Sequence, residues 1–208
     1  MRGATSLLSG LLAPPRCAAC AHPCGSRDAL CERCERRLTL AVPPSGSGPA
    51  ALDAAWSAAP YEGVARDLVS ALKFRSLLPV AERIAAAIAS RAPAGLMRGS
   101  LVPVPAAPAR RRARGFDPAE EIAQAVSELT GLELRPCLER ADGPRQVGRP
   151  RPARLSDPPR IAVSSDPPLE VLLVDDVWTT GATLAACARA LRRAGTERVS
   201  AVTFARSL

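Results

Sequence analysis

Aromatic residues are scarce in this 208-residue chain, where Phe, Trp and Tyr together make up 3% of the sequence. Because apolar residues still account for 47%, a buried core must be built mainly from Ala, Leu and Val. Long apolar runs are also missing, and none approaches the ~20 consecutive residues that a membrane-spanning helix needs. The sequence therefore predicts a soluble, cytoplasmic protein without a transmembrane segment.

Two side chains that often carry chemistry occur once each. His22 is the only histidine, so the rest of the chain has no histidine for general-base catalysis. Lys73 is the only lysine in a chain whose other basic residues are all Arg, and it indicates a position where a compact ammonium group is wanted. The net charge of +8 favours an anionic partner, either a phosphorylated small molecule or a nucleic acid.

Cysteines, by contrast, are concentrated near the N-terminus, where five of the seven fall within 18 residues. They include two Cys-x-x-Cys pairs, Cys17/Cys20 and Cys31/Cys34, which are separated by ten residues. Each pair offers two thiolates to one ion, and two pairs complete a tetrahedral Zn²⁺ site. Disulfides are disfavoured because nothing else in the sequence indicates secretion. The sequence therefore predicts a structural zinc ion on these four cysteines.

The other cysteines leave alternatives open. Cys24 and His22 lie in the loop between the two pairs, and either can replace one of the paired cysteines as a ligand. Cys137 and Cys187 are isolated, and Cys187 falls on the apolar face of a predicted helix. Both are interpreted as small core or surface residues.

The composition divides the chain into three parts. We predict an N-terminal helix and a four-cysteine zinc-binding segment in residues 1–40, a Pro-, Gly- and Ser-rich linker in 41–52, and an α/β domain in 53–208. Within that domain, apolar runs alternate with segments of helical periodicity, which predicts a parallel sheet covered by helices on both faces. The expected strands are 53–61, 101–104, 132–134, 171–174 and 199–204, and the expected helices are 63–74, one through Val80, Ile84 and Ile88, 116–130 and 183–194.

Segment 116–130 has the clearest helix signals. Asp117 is expected to cap its N-terminus, with Glu120 completing a capping box, and Gly131 is expected to end it. Its expected buried stripe consists of Ile122, Val126 and Leu129. Residues 135–168 are rich in Pro and Arg and show little periodicity, so they are predicted to form a long mobile loop.

The strongest motif is the run 171–183, which reads Val-Leu-Leu-Val-Asp-Asp-Val-Trp-Thr-Thr-Gly-Ala-Thr. Its four leading apolar residues predict a central strand buried on both faces, and open α/β sheets bind ligands beyond the carboxyl ends of such strands. There, Asp175 and Asp176 can accept hydrogen bonds from paired ribose hydroxyls, directly or through Mg²⁺. The following turn can cradle a phosphate at a helix N-terminus, with Gly181 allowing close approach of the backbone. This turn consists of Thr179, Thr180, Gly181, Ala182 and Thr183.

This run resembles the thirteen-residue signature with which type I phosphoribosyltransferases bind 5-phosphoribosyl-1-pyrophosphate (PRPP), and it matches at every defined position. The resemblance implies a type I phosphoribosyltransferase-like fold in which Asp175 and Asp176 are the catalytic pair and 179–183 hold the 5′-phosphate. It implies a pyrophosphate loop after the first core strand, here 106–115 with Arg110, Arg111, Arg112 and Arg114. It also implies a loop that closes over the substrate, here the segment with Arg140 and Gln146.

From about residue 7 onwards, the chain is similar to the ComF family, bacterial competence and DNA-utilisation proteins in which a zinc finger is joined to a phosphoribosyltransferase domain. The motifs that carry the resemblance are the two Cys pairs, Tyr61-Glu-Gly, Leu72-Lys-Phe74, Val102-Pro-Val-Pro105, Arg114-Gly-Phe116, Gln146 and the 171–183 signature. One departure is Asp117-Pro118, where family members have Asn followed by Gln or His. A hood to hold a nucleobase would have to come from the zinc head and residues 53–91.

Two functions follow from this resemblance. In the first, an enzyme binds Mg²⁺–PRPP, with Arg114 and Lys73 on the pyrophosphate, and transfers phosphoribosyl to an unknown acceptor. In the second, a non-catalytic competence module binds single-stranded DNA or proteins of the competence machinery, with PRPP or a nucleotide as a regulatory ligand. The scarcity of aromatic residues argues against base stacking as the main source of DNA affinity, so phosphate contacts would dominate.

Overall fold

A computed structural model describes residues 15–25, 28–40, 48–49, 51–75, 78–141 and 159–207. The expected N-terminal helix, most of the 41–52 linker, and Gln146 with much of the predicted 135–168 loop lie outside the described residues. The helices are α1 (Glu32–Arg37), α2 (Gly63–Arg75), α3 (Leu78–Arg91), α4 (Pro108–Arg114), α5 (Pro118–Thr130) and α6 (Ala182–Arg193). The strands are β1 (Ala54–Pro60), β2 (Ser100–Pro103), β3 (Leu138–Arg140), β4 (Ile161–Val163), β5 (Glu170–Trp178) and β6 (Arg198–Arg206).

Four strands form one parallel sheet in the order β1-β6-β5-β2. Successive side chains of a strand point to opposite faces of the sheet. Accordingly, Leu172 and Val174 of β5 join one hydrophobic cluster, whereas Val171 and Leu173 join another. The short strands β3 and β4 form a separate antiparallel pair, which packs on the second cluster.

The longer helices α2, α3, α5 and α6 flank the sheet because each carries an apolar stripe that must be buried. Ile88 of α3 and Val126 of α5 are fully buried in the first cluster. On the opposite face, Leu184 and Leu191 of α6 are buried in the second cluster. The structure thus confirms an α/β chain with a parallel sheet flanked by helices. Cys137 and Cys187 are also buried, so of the two alternatives that the sequence left open, core or surface, both are core residues.

Some local predictions are wrong. Leu129 is 57% exposed, because α5 ends at Thr130 and its last turn projects beyond the core. Part of the predicted 106–115 loop is helix α4, since Pro108 suits a first helical turn and Gly115 ends the helix in the left-handed conformation (φ 80°). Residues 132–134 do not form a strand and contribute only a bridge from Leu134 to Leu101. Within the predicted 135–168 loop, β3 and β4 pair with each other.

Candidate functional site

The central strand β5 carries the two adjacent carboxylates of the 171–183 motif. The sequence predicts a strand that ends at Val174, with both carboxylates after it. In the structure β5 continues to Trp178, so Asp175 and Asp176 lie within the strand. The neighbouring strand β2 ends at Pro103, opposite Val174. The two carboxylates therefore lie just past the end of β2, where no strand of the described residues pairs with this edge of β5 and where parallel sheets commonly bind ligands.

An ion pair joins this strand to α2. The Nζ atom of Lys73 lies 2.8 Å from Oδ2 of Asp176, and the two side chains are only 24% and 9% exposed. Asp175 accepts a hydrogen bond through Oδ1 from the backbone N–H of Asp176, at 2.8 Å. Burial raises the pKa of Asp175 well above its usual range, and the charge of Asp176 raises it further, while this hydrogen bond and Lys73 act in the opposite direction. The pair thus concentrates negative charge where a cation or several hydrogen-bond donors would be favourable ligands.

Both carboxylates open into a cleft of about 250 Å³. Its walls come from the end of β5 and the following turn, from the segment after β2 with α4, from α2 and from β3. Its polar side chains are Tyr61, Lys73, Arg110, Arg114, Asp117, Arg140, Asp175, Asp176, Thr179 and Thr183. Four cations and three carboxylates of the described residues meet here, so the cleft suits an anionic ligand that also carries hydroxyl groups or a metal ion.

The turn after β5 contributes two of its three threonines to the cleft. Thr179 and Thr183 line it, whereas Thr180 is exposed and accepts a hydrogen bond through Oγ1 from the backbone N–H of Ala182, at 3.4 Å. Ala182 is exposed and begins α6. The N-terminus of this 12-residue helix therefore lies beside the cleft, where its free N–H groups and its dipole favour an anion.

Gly181 caps α6 in a left-handed conformation, with φ at 74°. A Cβ atom at this position would lie 2.5 Å from Cγ of Pro49 and 2.9 Å from Nε1 of Trp178. Neither neighbour lines the cleft, and Trp178 is itself held under the guanidinium of Arg206, 4.0 Å from the ring centre. The glycine is thus required by its backbone conformation and by packing behind the turn, a reason that the motif alone did not reveal.

Arginine side chains reach the cleft from two elements. Arg110 and Arg114 of α4 line the cleft. Arg111 does not line it, and its guanidinium forms an ion pair with Glu120 at 3.2 Å. Arg140 enters from β3, within the segment that the sequence predicted to be a loop. Burial lowers the pKa of Arg140, and the charge of Arg110 lowers it further. An anionic ligand would relieve this repulsion.

Two residues that line the cleft, Asp117 and Tyr61, are not among the site residues predicted from the sequence. Asp117, predicted only as a helix cap, does cap α5 by accepting a hydrogen bond from the N–H of Ala119 at 3.1 Å, and it also accepts one from the N–H of Ala106 at 2.7 Å. Burial raises the pKa of this carboxyl. Tyr61 also lines the cleft; in the sequence it belongs to one of the motifs that carry the family resemblance, and no local pattern places it at the site.

The two Cys pairs come together near the N-terminus. The Sγ atoms of Cys17, Cys20, Cys31 and Cys34 all lie within 4.8 Å of one another, and those of Cys20 and Cys31 are 3.6 Å apart. Zn–S bonds of about 2.3 Å in tetrahedral geometry place sulfur atoms roughly 3.8 Å apart. The four cysteines can therefore hold a metal ion such as zinc.

The surroundings of this four-cysteine cluster favour a thiolate at one position. Burial raises the pKa of Cys17, but backbone N–H groups, those of Cys20 and Cys31 above all, outweigh it and lower the pKa to about 6. Neither alternative ligand joins the cluster formed by the described residues. The thiol of Cys24 instead lies 3.4 Å from the carbonyl oxygen of Asp28, to which it donates, and His22 is exposed.

The structure thus brings eight of the predicted ligand-binding residues to one cleft: Lys73, Arg110, Arg114, Arg140, Asp175, Asp176, Thr179 and Thr183. Thr180, Gly181 and Ala182 form the adjacent turn without lining the cleft.

No protein-family model matches the chain, and a search among curated proteins found no significant match. Among the helices that the structure describes, none is long and apolar enough to cross a membrane.

Proposed function

We propose that the cleft binds Mg²⁺–PRPP and that the chain is a ComF-like protein with a type I phosphoribosyltransferase-like domain. The observation that carries the proposal is the convergence of adjacent carboxylates, threonine hydroxyls at a helix N-terminus, and arginines in one cleft. PRPP presents a ribose diol, a 5′-phosphate and a pyrophosphate. The cleft offers a chemically matched partner for each of these groups.

In this proposal Asp175 and Asp176 hold the ribose hydroxyls, and the turn 179–183 holds the 5′-phosphate through its hydroxyls and free N–H groups. Arg110 and Arg114, with Lys73, hold the pyrophosphate. Adjacent carboxylates are hard oxygen ligands of the kind that Mg²⁺ uses, and their concentrated negative charge fits a divalent ion. Bound there, Mg²⁺ would neutralise charge on the pyrophosphate.

Transfer of phosphoribosyl from this site is the reaction that these groups would support. The bond between C1′ and the pyrophosphate oxygen breaks, pyrophosphate leaves with the bonding electrons, and a nucleophilic acceptor forms a new bond to C1′ and loses its proton. The site's contribution is electrostatic: carboxylates face the positive charge that develops on the ribose, and arginines face the departing pyrophosphate. The absence of histidine from the residues that line the cleft is compatible with this chemistry.

Calorimetric titration of the zinc-loaded protein with Mg²⁺–PRPP tests the proposal. We expect saturable binding that the double variant Asp175→Asn/Asp176→Asn weakens by about 100-fold or more, because two charge-assisted contacts are lost. Glu170→Gln is the matched control, since Glu170 lies at the opposite end of β5 and does not line the cleft. Failure of the unmodified protein to bind PRPP, or undiminished binding by the double variant, would contradict the proposal.

The second candidate is a non-catalytic competence module that binds single-stranded DNA or competence proteins, with PRPP or a nucleotide as regulator. The net charge of +8 and the arginines at the cleft favour an anionic polymer as partner. Release of pyrophosphate on addition of an acceptor would support the transferase. Steeply salt-dependent DNA binding without pyrophosphate release would support the module.

A further inference from the structure

Two side chains pack against the turn 179–183 from behind, outside the cleft. A Cβ atom on Gly181 would lie 2.9 Å from Nε1 of Trp178 and 2.5 Å from Cγ of Pro49, so both side chains are in van der Waals contact with this buried glycine. Neither residue lines the cleft, and neither is among the site residues predicted from the sequence. The turn is therefore backed by two rings that a ligand in the cleft does not touch.

Trp178, the last residue of β5, is held by the sheet. It is 6% exposed and belongs to the second hydrophobic cluster. The guanidinium of Arg206, its partner in β6, lies 4.0 Å from the ring centre, within the range of a cation–π contact. Its backbone carbonyl accepts the N–H of Ser207 at 2.9 Å. The position of the indole is thus fixed by contacts that do not involve the turn.

Pro49 is held through the residues that follow it. Its carbonyl oxygen accepts the N–H of Leu52 at 2.9 Å. In the last turn of α6, Arg192 donates through Nε to the carbonyl oxygen of Ala51 at 3.3 Å, and it forms an ion pair with Asp53 at 2.8 Å. These contacts hold the end of the predicted linker against the helix that begins at the turn.

A turn that binds an anion through backbone N–H groups must hold those groups in one orientation before the ligand arrives. The hydrogen bond from the N–H of Ala182 to Oγ1 of Thr180 is long, at 3.4 Å, and both residues are exposed, so it restrains the turn only weakly. Gly181 permits the left-handed backbone, with φ at 74°, but its wide conformational freedom does not enforce it. The two rings behind the glycine supply this restraint.

We propose that Trp178 and Pro49 are positioning residues for the 5′-phosphate, because they fix the turn 179–183 with its N–H groups and hydroxyls directed at the phosphate. The inference rests on the proposed function of this turn. It adds that the strength of phosphate binding is set from outside the cleft, by the end of β5 and by the linker. Trp178 makes the larger contribution, since the sheet itself holds its ring.

Ligands that carry different anionic groups test this inference. We would measure the affinities of ribose 5-phosphate, Mg²⁺–PRPP and Mg²⁺–pyrophosphate for the zinc-loaded protein. Trp178→Ala should weaken binding of the first two by at least about tenfold, because a small displacement of the binding groups is enough. It should leave pyrophosphate, which is assigned to the arginines, unchanged. Trp178→Phe should retain most of the affinity, since a ring still supports Gly181.

Pro49→Ala tests the same role without disturbing a core residue, since Pro49 is only partly buried. It should weaken ribose 5-phosphate binding by at least about threefold and leave the thermal midpoint unchanged. This variant decides the question if Trp178→Ala does not fold.

Trp56→Ala is the matched control, because Trp56 is also 6% exposed but lies in the first hydrophobic cluster and not behind the turn. Both Trp→Ala variants should lower the thermal midpoint, but only Trp178→Ala should lose affinity for ribose 5-phosphate. The chain has two Trp residues, so Trp56→Phe leaves Trp178 as its single indole. A phosphate on the turn should shift the emission of that indole, whereas Trp178→Phe, which keeps only Trp56, should not respond.

Equal losses of affinity for ribose 5-phosphate and pyrophosphate would indicate general damage and overturn the inference. So would ribose 5-phosphate binding that is absent from the unmodified protein or undiminished in Pro49→Ala and in folded Trp178→Ala, and so would Trp178 emission that saturating ribose 5-phosphate does not change. In each of these cases intact Mg²⁺–PRPP binding leaves the proposed function standing. Absence of PRPP binding by the unmodified protein would remove the proposed function itself, and this inference with it.

Discussion

Asp175 and Asp176 are neighbours in sequence and share one cleft, so their charges repel each other at close range. Lys73 offsets part of this repulsion through its contact with Asp176. Asp175 has no such cation at contact distance among its described partners and receives only the N–H of Asp176. Its raised pKa is a measure of how unfavourable its ionised form is in the folded protein.

We therefore expect Asp175→Asn to stabilise the protein near pH 8, by on the order of 1 kcal/mol. The folded-state pKa of Asp175 lies above the unfolded value of about 3.9, so the folded state retains this proton to higher pH. Stability then declines as pH rises from the unfolded pKa through the folded pKa. Asn cannot ionise and can still accept the N–H of Asp176, so the gain should be present at high pH and disappear below about pH 4.

Denaturant unfolding of both proteins across this pH range measures the difference. Asp176→Asn is the comparison, because it leaves the Lys73 ammonium without its carboxylate and should not be stabilising. Parallel stability curves for the unmodified protein and Asp175→Asn would show that Asp175 ionises without cost in the folded state.

At the scale of residues, the sequence predicted the parts of the site that are contiguous in the chain. The carboxylates and threonines of 171–183 meet at one strand end because a strand and the turn after it place them there locally. Contacts across the chain are different: nothing in the spacing of Tyr61, Arg140 or Asp117 indicates that these side chains meet. Lys73 and Arg114 were placed near the ligand by family resemblance and not by their pattern.

At the scale of elements, Asp117 joins two segments that bound the cleft. One carboxylate oxygen caps α5 at the N–H of Ala119, and the other holds the N–H of Ala106 in the segment between β2 and α4. Glu120 does not complete the expected capping box but pairs with Arg111 of α4. The N-terminus of α5 is therefore tied twice to the preceding helix and its entry segment.

Asp117→Ala should lower the free energy of unfolding by about 2 kcal/mol, through loss of the cap and of a second hydrogen bond to the backbone. Asp117→Asn keeps one acceptor oxygen, so its loss should be smaller. Denaturant unfolding at neutral pH measures both. An Ala variant as stable as the unmodified protein would mean that water replaces both contacts without cost.

Element prediction succeeded where the signals are local. The N-cap, the Pro in the first turn and the final Gly identify α5 from the sequence, and all three function as expected. Helix α4 was missed because its arginines give no apolar periodicity, and none of its residues is buried. Strands β3 and β4 were missed because each has three residues and exists through pairing with the other, a contact that no short window contains.

At the scale of the whole molecule, the four-cysteine cluster and the sheet share a hydrophobic core. Cys17, Leu30 and Cys34 belong to the same buried cluster as Leu68 of α2 and Ile84 of α3. Composition suggested a boundary near residue 40, but composition does not show which apolar side chains of the Cys-rich segment are buried against later helices. A hydrogen bond also joins α3 to α1 between these two parts of the chain: Nε of Arg83 donates to Oε2 of Glu35 at 3.0 Å.

Because this core is continuous, loss of a metal ion held by the four cysteines should destabilise the α/β part of the molecule as well as the Cys-rich segment. We expect Cys20→Ser to lose zinc and to lower the thermal midpoint by about 5 °C or more. Cys20 is exposed, so the substitution removes a ligand with little change in packing.

Cys24→Ser is the matched control, since Cys24 lies in the same segment but outside the cluster. The Cys24→Ser protein should retain one zinc per chain and an unchanged thermal midpoint. Metal content by elemental analysis, together with calorimetric unfolding, separates the outcomes: a Cys20→Ser protein that lacks zinc but melts like the unmodified protein would mean that the metal stabilises only its own segment.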